Sequence, residues 1–263
     1  MSDRPALLER LTWPEIQDIL PKVELVLIPV GSCEQHGPNL ELACDADLAR
    51  AVCLRLENNL RPRLLVTPAI PFGISPHHMG FPGTVTLRES TLQALVHDVI
   101  ASLMHHGLRR FLLVNGHGGN IGTLNAACTS IQRELNPDLV AVCTYYNMYD
   151  PEIDRRFDDS GQGGHACGME VSLAMVLQPK LVRSEALAAM EPGPLHTLRD
   201  LVVPLVRRKA LDIPLPFDQL TRNGCMGDAR RASLPYGQAM VDSIVAQAEA
   251  LIEGLPEAPW SRS

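Results

Sequence analysis

The chain has 263 residues, 46% of them hydrophobic and 4% aromatic, with 23 basic against 30 acidic side chains and a net charge of −7. That is enough apolar chain for one large core and too little charge for disorder, while the acidic balance excludes a general nucleic-acid binder. Apolar runs such as residues 23–30 fall far short of the roughly 18–20 residues of a membrane span, so a single domain over residues 1–263, with no membrane partner, is expected.

In chain order, residues 23–30 read as a buried strand closed by Gly31. Residues 45–60 follow as a helix, with Leu48, Ala51, Val52, Leu54 and Leu56 forming an imperfect apolar stripe. A second strand is expected over residues 63–70, with Pro68 and Pro71 at its end. The clearest helix covers residues 89–106: Leu92, Leu95, Val96, Val99, Ile100 and Leu103 recur at helical spacing, Ser90 or Thr91 serves as cap, and Gly107 as exit. A strand at 111–114 leads through a glycine-rich turn at 115–120 into a helix ending near residue 135. A strand at 139–145 and helices at 170–177 and 237–252 complete the pattern. Such alternation predicts an α/β fold with a mostly parallel sheet covered on both faces. The proline-rich stretch 191–223 reads as a surface excursion.

In sheets of this kind ligands bind at the carboxyl ends of the strands, in the loops entering the helices. Three polar groups sit there. The first is Gly31-Ser32-Cys33-Glu34-Gln35-His36-Gly37, with Asp45 nine residues beyond His36. Side chains at i and i+2 of an extended segment point the same way, so Glu34 and His36 converge; Asp45 alone reads equally as a helix cap. The second group is Asn115-Gly116-His117-Gly118-Gly119-Asn120, which matches neither a phosphate loop nor a dinucleotide fingerprint. The third runs from Gly163 to Glu170 and contains His165. Glu34, His36, Asp45, His117, His165 and Glu170 together form a carboxylate–imidazole set without thiolate, the donor set of Zn, Mn or Fe(II). Six groups exceed one metal's needs and suit two metals sharing a carboxylate, with hydrolysis as the natural chemistry. Seven scattered cysteines without a CxxC pair argue against a disulfide scaffold. With no leader-like run at residues 1–5, the expected home is the cytoplasm.

These motifs resemble the creatininase (creatinine amidohydrolase) family. Val30 to Pro38 with Asp45 looks like its opening signature; Gly73-Ile74-Ser75 with His78, Phe81-Pro82-Gly83-Thr84, NGHGGN, His165-Ala166 with Glu170 and Ser172, and Gly224 to Asp228 follow in the family's order, covering roughly residues 10–250. The resemblance implies a three-layer α/β/α sandwich, usually a homo-oligomer and often a hexamer, with a binuclear site hydrolysing amide-type C–N bonds. It implies Glu34, His36, Asp45 and His117 as metal ligands, with Asp45 bridging, and His165 in proton transfer. The creatinine-hydrolysing member has Tyr and a ligand Glu directly after the histidine matching His117, where this chain has Gly118 and Gly119. Glu170 is therefore the expected replacement ligand, Gly118 and Gly119 let a substrate approach, and creatinine itself is not the expected substrate. Ser75 and His78 are candidates for orienting the substrate. Cys33 and Cys167 pack beside the ligands. Three rivals stay open: a one-metal deformylase, a small-peptide peptidase, and an inactive metal-binding scaffold.

Overall fold

Strand β1 (Leu25–Val30) is apolar and buried along its whole length, because both of its faces are covered. It sits inside a parallel sheet with β2 (Leu64–Val66), β3 (Arg110–Asn115) and β4 (Leu139–Thr144), in the order β2-β1-β3-β4. This computed structural model describes residues 5–157, 164–189 and 215–255. The described helices are α1 (Trp13–Ile19), α2 (Cys44–Leu60), α3 (Glu89–His105), α4 (Ile121–Glu134), α5 (Glu152–Arg156), α6 (Gly168–Leu177), α7 (Ser184–Ala188), α8 (Phe217–Leu220) and α9 (Leu234–Glu253). None of them is long and apolar enough to cross a membrane.

Alternation along each strand divides the core in two. Leu25, Leu27, Leu64, Val66, Leu112 and Val114 face α2, α6 and α9. Val26, Ile28, Leu65, Phe111 and Leu113 face α3 and α4, through Leu92, Val96, Ile100, Leu124 and Ile131. The result is the expected α/β/α sandwich.

Two local readings change. The strand expected over 63–70 keeps ladder geometry only at Leu64–Val66, because Pro68 has no N–H to donate; the chain rejoins β1 at Ile70, whose N–H bonds Pro29 O at 2.9 Å. Helix α3 begins at Glu89 with Arg88 in the capping position, and neither Ser90 nor Thr91 caps it.

The strand order places the switch point between β1 and β3, since β2 lies on one side of β1 and β4 beyond β3. Helix α2 closes tightly on this point. A Cβ on Gly31 would lie 2.2 Å from Ala46 N, and one on Gly116 would lie 2.3 Å from Asp45 O. Only glycine at both strand ends lets the first turn of α2 lie against them, and that turn carries Asp45.

Candidate metal centre

Each strand end delivers part of the site. The segment after β1 supplies Glu34 and His36, the first turn of α2 supplies Asp45, and the segment after β3 supplies His117. The β2–α3 crossover contributes the Ser75–His78 turn, and the segment entering α6 contributes His165. Glu34 is 1% exposed, His36 0%, Asp45 4%, His117 4% and His165 7%, so carboxylates and imidazoles meet in a site nearly sealed from water.

Asp45 turns out not to be a cap: Ala43 takes the capping position, with no side-chain bond there. Its Oδ1 lies 3.1 Å from His36 Nε2 and its Oδ2 3.2 Å from His117 Nδ1. Glu34 Oε2 also lies 3.1 Å from His117 Nδ1, while Oε1 lies 3.6 Å from His165 Nδ1 and 3.3 Å from His78 Nε2. Ligand atoms of Glu34, Asp45 and His117 come within 4.8 Å of one another, as do those of Glu34, His36 and His165 and those of Glu34, His77 and His78. Glu34 is common to all three groups.

The outward ring nitrogens decide what the inward ones offer. His117 Nε2 donates to Ile74 O at 3.0 Å, His36 Nδ1 to Glu34 O at 3.2 Å, and His165 Nε2 to Gln35 O at 2.6 Å. A neutral ring whose proton lies on one nitrogen presents a lone pair from the other. Held neutral, as a metal ligand is, each of the three rings would aim a lone pair at a carboxylate, with backbone carbonyls fixing the tautomer as in metal sites. The demand is sharpest at His117, whose Nδ1 faces both Glu34 Oε2 and Asp45 Oδ2, so that a neutral ring would bring a lone pair against two carboxylate oxygens. Buried Asp45 Oδ2 accepts no hydrogen bond among the described residues. Such a site demands a positive charge.

Proton affinities respond to the same demand. Burial opposes a charge on His36, yet Asp45 overrides it and raises the imidazole to about 10. His117 is likewise opposed by burial and raised well above its ordinary value by Glu34 and Asp45. Burial would raise Asp45, but His36 and His117 hold it well below the usual carboxylate range. His165 behaves oppositely: burial, then His36 and His78, push it well below the ordinary imidazole value. Burial likewise lowers His78 to about 2, with His77 and His117 adding to the effect.

The remaining expected residues have distinct surroundings. Ser75 is fully buried, and its hydroxyl donates to Glu34 Oε2 while contacting Ser32 Oγ. Partly exposed Glu170 accepts a hydrogen bond from Ala166 N, where a positive φ of 51° turns the chain from His165 into α6. Glu170 falls outside the three-ligand groups, and burial raises its carboxyl to about 7 against the pull of His36. Gly118 is exposed, whereas a Cβ on Gly119 would lie 2.2 Å from Ile74 O and 2.4 Å from His117 Nε2. Burial raises the Cys33 thiol, with Glu34 adding to it, and Cys167 is buried in the core.

Several participants were not singled out from sequence. Asn115 brackets His117, accepting from its N–H at 3.2 Å and donating to its carbonyl at 2.7 Å. Asn120 ties the crossover to β1, accepting from Ile74 N at 2.9 Å and donating to Gly31 O at 3.0 Å. His77 stacks on His117, with ring centroids 5.7 Å apart. Phe217 packs at 4.1 Å from His78 and 5.1 Å from His165. It belongs to the stretch 191–223, read above as a surface excursion, of which residues 191–214 lie outside the described residues; the described end places Phe217 against the site. The Asp218 carboxylate lies where a side chain on Gly80 would be.

A parallel α/β/α sandwich with a buried acid–imidazole cluster at its strand ends carries the donor set of a metal-dependent hydrolase. The family model described as creatinine amidohydrolase (creatininase) matches residues 9–252. A mycofactocin precursor peptide peptidase of Mycobacterium ulcerans is 30% identical over 90% of this chain and 85% of its own. A creatinine amidohydrolase of Pseudomonas putida is 33% identical over 65% of this chain and 72% of its own. Among solved structures, a mutant creatininase of Zn-Zn type is 26% identical with a TM-score of 0.80, over 95% of this chain and 98% of that one. The chain belongs to the creatininase family and is a hydrolase.

Proposed function

We propose that this enzyme hydrolyses a non-peptide C–N bond (an amide, cyclic amide or formamide) at a site holding two divalent metal ions. The observation that carries this reading is the set of three imidazoles, each with one nitrogen on a backbone carbonyl and the other aimed at a carboxylate. Glu34, Asp45 and His117 would hold one ion, and His36, Asp45 and Glu170 the other, with Asp45 shared. Zn, Mn and Fe(II) all suit these oxygen and nitrogen donors. Divalent ions there supply Lewis acidity, acidifying water and polarising a carbonyl.

The side chains do the rest. His165 has its proton fixed on Nε2 by the Gln35 carbonyl, so its Nδ1 takes a proton from the attacking water and returns it to the leaving nitrogen. Ser75 and Asn120 hold Glu34 and the crossover in place from behind. Phe217 and the burial of the cluster keep bulk water away, which strengthens every charge interaction inside. Seven free thiols suit a reducing cytoplasm, and a homo-oligomer belongs to the same reading.

A second reading, a peptidase acting on small peptides, is favoured by one observation: the mycofactocin-type relative aligns over 90% of the chain. The test strips the enzyme with a chelator, reloads it with Zn, Mn or Fe(II), and assays cyclic amides, N-formyl compounds and short peptides. Metal-dependent cleavage of a non-peptide amide is expected. Release of free amino acids alone would favour the peptidase, and full activity after complete chelation would contradict both readings.

A further inference from the structure

Of the four histidines facing Glu34 or Asp45, one has opposite polarity. Gln35 lies between Glu34 and His36, and its amide orientation is set by its neighbours. Its Oε1 accepts from Gly37 N–H at 2.9 Å, so its Nε2 is the donor, reaching Gly224 O at 3.1 Å and His78 Nδ1 at 2.8 Å. Because an amide nitrogen only donates, His78 Nδ1 must accept, and the ring's proton sits on Nε2. That nitrogen lies 3.3 Å from Glu34 Oε1. As metal ligands His36, His117 and His165 would turn lone pairs inward, whereas His78 turns a proton inward.

We infer that His78 is a positioning residue that presents an N–H to Glu34, and that Gln35 sets its tautomer. It is therefore not a metal ligand, although its distance to Glu34 and His77 would allow one. Glu34 thus accepts the Ser75 hydroxyl on Oε2, and the proton-bearing nitrogen of His78 faces its Oε1. Gln35 also joins the site to the segment before Met226. Gly224 adopts φ +85°, and a Cβ there would lie 1.8 Å from Gln35 Oε1, so the amide fits only against glycine.

This inference rests on the proposed metal site, and the test separates the two. Glutamine places an amide N–H near the position of a histidine Nε2, and asparagine near Nδ1. His78→Gln therefore keeps the donor to Glu34, while His78→Asn and His78→Ala remove it. Zinc affinity of the purified full-length protein is expected to fall about 10- to 100-fold in the Ala and Asn variants, the scale for losing a residue that orients a ligand. In His78→Gln it is expected to be largely restored, whereas His36→Gln loses zinc. Independently, nitrogen-15 NMR of the metal-free parent should show His78 protonated on Nε2, a readout that does not depend on any variant folding. If His78→Gln lost zinc as His36→Gln does, or if His78 carried its proton on Nδ1, the inference would be overturned while the metal site stood. A parent that binds no zinc would instead overturn the metal site, and the NMR tautomer would still decide the polarity of His78.

Discussion

Glu34→Gln is expected to lower kcat/KM by about 10³-fold and to release bound metal, a loss near 4 kcal/mol in transition-state stabilisation. Glu34 is common to the three groups whose ligand atoms lie within 4.8 Å of one another, and its two oxygens serve different neighbours: Oε2 faces His117, and Oε1 faces His165 and His78. Glutamine keeps the shape but removes the charge. It also turns an NH₂ group either toward His117 or toward the proton-bearing nitrogen of His78. Steady-state kinetics and metal analysis on the same preparation check this. Parent-like turnover and metal content in Glu34→Gln would place the chemistry elsewhere in the molecule.

His165→Ala is expected to behave differently, with kcat falling by about 10²- to 10⁴-fold, the usual share of a positioned acid–base group, while metal content stays close to parent. Two observations separate His165 from His36 and His117. Its 3.6 Å approach to Glu34 is the longest of the acid–imidazole contacts at the site, and its proton affinity is lowered where those of His36 and His117 are raised. A neutral ring with a bare Nδ1 suits proton transfer, and removing it leaves Glu34, Asp45 and His117 intact as a ligand group. Loss of metal together with activity in His165→Ala would make it a ligand instead.

Much of this site was legible in the sequence because its geometry is local. Strand β1 is an unbroken apolar run because it is covered on both faces, and the i, i+2 spacing brings Glu34 and His36 together at its end. Asp45 was half legible: an acid in a first helical turn looks the same whether it caps the helix or faces a site. The distinction lies in the contacts of Gly31 and Gly116 with α2, which spacing does not reveal. Gln35 was hidden by the same alternation that exposed its neighbours, since it points away from them and finds its role through Gly224 and His78, distant in the chain. Phe217 was hidden because a proline-rich stretch carries no periodicity to say which face it presents. Asn115 and Asn120 read as turn residues, and their tethering bonds to His117, Ile74 and Gly31 emerge only once β1, β3 and the crossover meet.

The most direct test of the central claim is the number of metal ions per chain, measured by native mass spectrometry on protein purified without chelator. Close to two divalent ions per chain is the result predicted by a shared Asp45 with His117 on one oxygen and His36 on the other. One ion would point to a single-metal deformylase chemistry. Failure to bind any ion, even after incubation with Zn, Mn and Fe(II), would contradict the account.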